Sequence, residues 1–359
     1  MKKTFPWQPR YRMAPVLVRD LMRLEAVRVE VEAFPLPLAA AAFLRRKARL
    51  KSTHYSTRIE GNRLTLKQAQ DVVTRRKVRF HGRERDVREV ENYWHALLNV
   101  EALAERNTSF DEGLIRRIHG WVMNGKKAKP TPYRSGQNAV KDAVTGALVY
   151  LPPEAKDVPR LMKAMAAWVR RALREGVPVP VVAGLVHYQF VTIHPYDDGN
   201  GRTARLLATL VLHSGGYGMK GFYSMEEHHA RDLEGYYRAL VTHPHHNYYE
   251  GRVEADLTSW VEYFIGTVRK VFDQARAEAV RLLKDRGSDR RDEPKGLDHR
   301  ARTVWSHLQE KGQAGSGELA GLLGISERMM RLILTGWIKA GWIEATSKAR
   351  KGRAYRLAR

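Results

Sequence analysis

The stretch His194–Arg205 (HPYDDGNGRTAR) constrains this chain more than any other. Before it, Val182, Leu185, Val186, Phe190 and Ile193 recur at helical spacing, and Leu206, Leu207, Leu210 and Val211 resume the pattern after it. Two buried helices joined by a tight polar turn are expected. Pro195 cannot continue the first helix, and Gly199 and Gly201 supply the backbone freedom of a narrow turn. Gly199, Asn200 and Gly201 then stand at the N-terminus of the second helix, where free backbone N–H groups favour an anion and glycines let a phosphate approach. Arg202 and Arg205 fall on one face of its first turn, an unfavourable place for a cation unless an anion faces it. Asp198 is a hard oxygen ligand beside that site, of the kind that holds Mg²⁺ next to phosphates. His194 is a ready general base.

A Gly-Asn-Gly alone reads as an interhelical turn. An anion cradle, two arginines, a metal carboxylate and a base in register point to nucleotide phosphoryl or nucleotidyl transfer. The stretch resembles the signature of Fic domains: His-Pro-Phe, any residue, Asp or Glu, Gly-Asn-Gly-Arg, two residues, Arg. Every functional position matches, and the one departure is Tyr196 in place of Phe, an aromatic expected to anchor the loop in the core. The resemblance implies an AMP transferase, an enzyme that uses ATP as co-substrate with Mg²⁺ to modify a protein hydroxyl. On that resemblance His194 deprotonates the target Ser, Thr or Tyr, and Asp198 holds Mg²⁺ bridging the α- and β-phosphates. Gly199, Asn200 and Gly201 bind phosphate oxygens, Asn200 chiefly on the α-phosphate, while Arg202 meets the β- and Arg205 the γ-phosphate. Within the family, UMP or phosphocholine transfer, phosphorylation and removal of AMP are the alternatives. From another class comes a DNA-binding regulator whose Fic domain only senses nucleotide; the intact His194 speaks against it, since a sensor needs the cradle but not the base.

With 359 residues, 43% of them hydrophobic, the chain has room for two or three domains and a sizeable core. It has no cysteine, which excludes disulfides and thiolate metal sites and fits a reducing, cytoplasmic setting. The N-terminal MKKTFPWQPRYR is basic but lacks an apolar run, so it does not read as a signal peptide, and no stretch has the ~18 apolar residues of a membrane span. The net charge of +24 attracts polyanions: nucleotide, nucleic acid or an acidic protein surface. His228-His229 and His243-Pro-His245-His246 lack the spacing of a hydrolytic zinc site.

Residues 1–92 read as an N-terminal helical segment, with helices around Asp20–Ala33, Leu36–Ile59 and Thr65–Arg75. In Ser56-Thr-Arg-Ile-Glu60-Gly61-Asn62, Gly61 reads as a left-handed helix-ending residue, which puts Glu60 in a last turn that disfavours its charge. Such a Glu needs a cation. The pattern S-x-x-x-E-G-N resembles the inhibitory motif that accompanies many Fic domains. Its Glu pairs with the second Arg of the signature, here Arg205, in a bidentate contact that blocks the γ-phosphate site. Thr65 reads as an N-cap. Val87–Leu103 and Phe110–Asn124 are further helices, with Trp94, Leu97 and Leu98 as core.

Residues 93–283 form the expected catalytic core. Gln137–Val140 and Ala147–Tyr150 read as two short strands around a turn at Lys141–Gly146. In Fic proteins a hairpin here is the flap, which holds a target peptide by strand addition and places Ala147, Leu148, Val149 and Tyr150 beside ATP. Asp157–Glu175 and Val179–Ile193 lead into the signature, with His187 a packed structural histidine. Tyr236 and Tyr237 resemble the family's adenosine-side tyrosines, on base and ribose; the Asn that often follows has no match, since Thr242-His-Pro intervenes. Val253–Arg276 closes the core. Residues 284–299 read as a charged linker. In 300–359, helices at Ala301–Glu310, Ser316–Leu323 and Glu327–Ala340 are followed by strands at Trp342–Glu344 and Ala354–Leu357 around Lys348–Arg353, a helix-turn-helix spacing with a wing. This resembles the winged helix-turn-helix tail of many bacterial Fic proteins and suits duplex DNA. The expected architecture is mostly α, a helical core with a small β-hairpin flap and a C-terminal winged helix-turn-helix. ATP, a protein hydroxyl and duplex DNA are its expected partners, no membrane is, and a homodimer is left open.

Overall fold

The computed structural model describes residues 7–74, 80–106, 108–126, 128–141, 145–289, 297–346 and 353–358. The chain divides into two compact units: Met1–Phe34 with Arg45–Arg276, and Pro35–Leu44 with Ala277–Arg359. In chain order the first helices are α1 (Pro15–Ala33), α2 (Leu38–Ile59), α3 (Leu66–Val73), α4 (Glu84–Ala104) and α5 (Glu112–Asn124). The hairpin of β1 (Val140–Lys141) and β2 (Leu148–Tyr150) follows. Then come α6 (Val158–Arg174), α7 (Val179–Ile193), α8 (Asn200–Ser214), α9 (Met225–Arg231), α10 (Leu233–Leu240) and α11 (Thr258–Asp289), the first residues of α2 and the last of α11 being counted with the second unit.

The first unit is built around α7, which is buried without a break from Pro180 to Phe190. A helix apolar all round has to be wrapped on every side. Accordingly α8 packs along it, α6 lays its stripe of Leu161, Met165, Trp168 and Val169 against it, and α4 and α5 cover α8. α11 crosses α7 at Gly184: the Trp260 indole N–H donates to the Gly184 carbonyl at 2.7 Å, and a Cβ on that glycine would lie 2.8 Å from Phe264 Cδ1. Thr65 caps α3 in a full capping box with Gln68.

Several expected boundaries move. In α4 the buried stripe is Val90, Tyr93, Ala96, Leu97 and Val100, at three- and four-residue spacing; Trp94 and Leu98 flank it and are only half-buried. The hairpin is shorter than expected. Ala147 is an exposed turn residue, its N–H bonded to the Thr145 hydroxyl, and Gln137 and Asn138 turn their amides to other loops instead of the ladder. Residues 142–144 of that turn lie outside the described residues. α11 begins at Thr258 rather than Val253 and continues to Asp289, into the expected linker, since the lone Gly287 costs only about 1 kcal/mol in a helix. The rest of that linker, 290–296, lies outside the described residues. Among them no helix is long and apolar enough to cross a membrane.

The second unit contains α12 (His299–Lys311), β3 (Ala314–Gly315), α13 (Ser316–Leu323), α14 (Glu327–Lys339), β4 (Ile343–Ala345) and β5 (Ala354–Leu357). Asp298 and Ser326 cap α12 and α14 as short polar N-caps should. The strands form an antiparallel sheet in the order β3-β5-β4; the two-residue β3 carries no periodicity to read from sequence. Leu308, Leu319, Met330, Leu334 and Trp342 share its core. Of the expected wing tip, Lys348–Arg353, residues 348–352 lie outside the described residues.

Gly184→Ala should lower the stability of the first unit by about 1–3 kcal/mol, as overpacking of a filled core does. Urea unfolding measures it, and an unchanged midpoint would show that Phe264 moves aside freely.

Candidate active site

The turn between α7 and α8 carries most of the charged side chains singled out from sequence. α7 ends in the left-handed conformation at His194 (φ 51°, ψ 59°), and α8 starts from Gly199, also left-handed at φ 78°. For His194 that conformation costs about 1–2 kcal/mol, so other bonds must hold it. Its carbonyl accepts from Arg134 Nε at 3.0 Å and from Asn138 Nδ2 at 3.3 Å. The Asn200 amide closes the turn, accepting from the Tyr196 N–H at 3.1 Å and donating to the Tyr196 carbonyl at 2.7 Å. Asn200 was singled out as a phosphate ligand; here both ends of its amide are engaged by the loop. Tyr196 stacks on His119 with ring centroids 3.5 Å apart, so the aromatic swap still anchors the turn, with its hydroxyl buried and unpartnered.

His194 Nδ1 lies 3.2 Å from the Val191 carbonyl. A carbonyl can only accept, so Nδ1 carries the proton and Nε2 keeps its lone pair. Burial pushes the ring's pKa below its ordinary value, against the pull of the Val191 carbonyl and the Glu60 carboxylate, so the imidazole is neutral at pH 7. That is the form a general base requires.

At the other end of the turn, Arg202 and Arg205 are both buried but reach different partners. Arg202 Nη2 donates to Asp198 Oδ1 at 2.9 Å, its Nη1 lies 3.8 Å from Glu89, and its Nε is buried without a partner. Asp198 Oδ1 also accepts the Gly199 N–H at 2.6 Å, while its Oδ2 has Arg85 at 3.8 Å. Burial raises the Asp198 pKa, but Arg202, the Gly199 N–H and Arg85 together hold it below the usual carboxylate value.

Arg205 faces α2. Its Nε donates to Ser56 Oγ at 2.8 Å, and its Nη2 to the Ser56 carbonyl at 2.9 Å and to Glu60 Oε1 at 2.8 Å. The Glu60 contact is therefore a single bond and not a bidentate fork, because the guanidinium also serves Ser56. A Cβ on Gly201 would lie 2.2 Å from Glu60 Oε1, so the carboxylate rests on the opening turn of α8 where only a glycine leaves room. Gly61 is left-handed (φ 89°) as expected, and Asn62 secures the end of α2 by donating to the Asp86 carbonyl at 2.9 Å and to Glu89 at 3.1 Å.

The remaining candidates lie around this centre. Tyr236 is buried, its hydroxyl 2.8 Å from His187 Nε2, whereas Tyr237 beside it is 48% exposed. In the hairpin Leu148 and Val149 are exposed; Tyr150 is buried and donates to the Thr192 carbonyl at 2.9 Å. Beyond β2, Leu151 pairs with His246–Tyr248 through two backbone hydrogen bonds. Ser56, Asn62, Arg85, Glu89, His119, Arg134 and Asn138 were given no role from sequence. Ser56 and Asn62 stand inside a motif that could have flagged them; the others show nothing in the local pattern.

The family model described as Fic/DOC family matches residues 109–212. Among curated proteins, the chain is 31% identical over 190 residues to the protein adenylyltransferase Fic of Nematostella vectensis, covering 52% of this chain and 42% of that one. It is 29% identical over 213 residues to the protein of the same name from Drosophila erecta, covering 58% and 42%. The chain thus spans about two fifths of the length of these relatives. Among solved structures, a Fic family protein from Desulfovibrio desulfuricans G20 aligns over 98% of both chains with a TM-score of 0.62 and 25% identity. A Fic domain containing signaling protein from Bacteroides thetaiotaomicron aligns over 72% of this chain and 96% of its own, with a TM-score of 0.62 and 24% identity.

Burial holds the pKa of His187 at about 3 and those of His119 and His213 at about 4. An unfolded chain would protonate all three near 6.5, so below that pH the unfolded state binds more protons and stability falls as pH falls. The loss should be steepest near pH 5, at roughly 4 kcal/mol per pH unit, and His213→Asn should remove about a third of that slope. Denaturant unfolding at a series of pH values tests this; a flat profile would show that these rings titrate in the folded state.

Proposed function

With residues 109–212 identified as a Fic/DOC family domain, we propose that the chain is a protein adenylyltransferase that moves AMP from Mg²⁺-bound ATP to a Ser, Thr or Tyr hydroxyl of a target protein, and that Glu60 inhibits it by engaging Arg205. One observation carries this reading: a neutral His194 and a buried Arg205 sit at the two ends of one glycine turn, and the cation is met by a carboxylate from another helix. The name borne by the curated relatives agrees with it.

The target oxygen attacks the α-phosphorus and gives its proton to His194 Nε2. The bond from the α-phosphorus to the bridging oxygen breaks, and its electron pair leaves with pyrophosphate. The free N–H groups at the start of α8 and the buried charges of Arg202 and Arg205 bind the phosphates, with the unpartnered Arg202 Nε as a further donor. Asp198 suits Mg²⁺: one oxygen is engaged by Gly199 and Arg202, the other has Arg85 at 3.8 Å on a half-exposed side chain, and Mg²⁺ at phosphates takes one or two protein carboxylates rather than a full cage. The ion, when bound, supplies charge neutralisation on the phosphates. Tyr237 offers an exposed ring and Tyr236 a buried one on the nucleoside side, and the exposed edge at Leu148 and Val149 is where an extended target segment adds.

For the second unit we propose a winged helix-turn-helix that contacts duplex DNA. The succession of α12, β3, α13, α14, β4 and β5 supports this, as do the exposed Arg328 and Arg331 of α14. The 359-residue chain should bind duplex DNA with an affinity that falls steeply with salt, and a chain ending near Lys284 should not. Absence of binding in low salt would make this unit a protein-interaction module.

A charge-assisted Glu–Arg bond contributes about 1.5–3 kcal/mol, so Glu60→Gly should raise self-modification roughly ten- to a hundredfold at limiting ATP. Arg205→Ala should not mimic it, because the γ-phosphate loses its partner too. Adding His194→Ala to Glu60→Gly should abolish transfer while Mg²⁺–ATP still binds. Labelled-ATP transfer in a lysate reads both. Equal labelling of wild type and Glu60→Gly would remove the inhibitory role, and transfer without His194 would remove the base.

A further inference from the structure

The turn that carries His194 is held by one short segment, residues 134–138, ahead of the hairpin. We propose that Arg134 and Asn138 are positioning residues for His194: they fix its left-handed backbone, and through it the ring that acts as base, and tie that turn to both roots of the β1–β2 hairpin. The inference rests on the adenylyltransferase reading only for what the base does.

The bonds converge on three consecutive carbonyls. Arg134 Nε and Asn138 Nδ2 donate to that of His194, the Arg134 backbone N–H to that of Pro195 at 3.0 Å, and Asn138 Nδ2 to that of Tyr196 at 2.9 Å. The rest of the guanidinium faces the hairpin. Nη1 donates to the Gly136 carbonyl at 2.8 Å, before β1, and Nη2 to the Pro153 carbonyl, after β2. Gln137 adds a bond to the Pro152 carbonyl at 3.0 Å. Arg134 is only 5% exposed. Its side-chain hydrogen bonds all run to carbonyl oxygens, with Asp197 the first acid to act on it electrostatically. A buried cation so placed is costly, and only the fixed fork of arginine spans carbonyls from both the catalytic turn and the hairpin. Lysine carries the same charge on one compact ammonium and cannot reach His194 and Pro153 together.

The consequence for chemistry follows from Nδ1. Its partner, the Val191 carbonyl, lies three residues back in the chain, a contact that the left-handed turn at His194 allows. If the turn relaxes, the ring loses that acceptor, the proton is no longer confined to Nδ1, and Nε2 no longer points at a fixed place. A misplacement of about 1 Å between reacting groups can cost a factor of a hundred in rate. Phosphate binding at the other end of the turn depends on α8, Arg202 and Arg205, which Arg134 does not touch.

In the Glu60→Gly background, Arg134→Lys should lower kcat for AMP transfer ten- to a hundredfold and Asn138→Ala about three- to tenfold. The Kd for Mg²⁺–ATP should stay within twofold in both. Long-range proton–nitrogen spectra of the histidine rings, with His194 assigned by its loss in His194→Ala, should show one Nδ1-protonated tautomer in the parent and a mixture in each variant. A merely structural residue would alter neither the tautomer nor the split between kcat and Kd. If Arg134→Lys does not fold, Asn138→Ala decides. Should Glu60→Gly transfer no AMP at all, the transfer reading fails and the ring spectra still decide the positioning. Unchanged kcat together with an intact His194 tautomer would overturn the proposal.

Discussion

Arg205 is a permanent cation buried in the second turn of α8, and much of the site is arranged around that fact. Burial takes it out of water near the positive end of the α8 dipole, and no deprotonation can relieve it. It needs an anion, and Glu60 supplies one from the end of α2, where a carboxylate is disfavoured by the opposite dipole end. Removing one partner would leave the other charge buried and uncompensated, which is far more costly than the pair's own net contribution. The end of α2 must therefore be docked accurately. Gly61 turns the chain out of the helix, and Asn62 bolts it to the first turns of α4 through the Asp86 carbonyl and Glu89. Glu89 also lies against Arg202, so a single helix, α4, braces both arginines' counter-charges.

What the sequence made legible was local. The signature turn, its left-handed glycine, the helix end at Gly61 and the caps at Thr65 and Ser326 depend on neighbours a few residues away, and they stand where their chemistry puts them. The unread parts are contacts across the chain. Ser56 and Arg205 are separated by 149 positions and Arg134 and His194 by 60; Ser56 at least stands inside a motif, whereas nothing around Arg134 announces its partner. Residue type alone does not say what Asn200 does in the loop. An asparagine at a helix N-terminus suits a phosphate and a loop closure equally, and here its amide closes the loop. In the hairpin, period-two alternation could not reveal that Gln137 and Asn138 are recruited by other loops before they can pair.

The two ends of the catalytic turn are supported separately. His194 is held from the segment before the hairpin, whereas Arg205 is held from α2; between them Asn200 closes the turn and Tyr196 stacks on His119. The Glu60 contact lies wholly at the arginine end. With Glu60 in place, His194 already has a fixed tautomer and a neutral ring, so in the proposed transfer the base would be ready while the charge that a terminal phosphate would need is engaged. The inhibition proposed for Glu60 would require no distortion of the reacting centre and would work by competition between two anions for one cation. A competing anion can displace Glu60 only by the margin with which Arg205 prefers it. A partner that draws the end of α2 away from α8 would therefore change that margin without touching His194, the residue to which the proposal assigns the base.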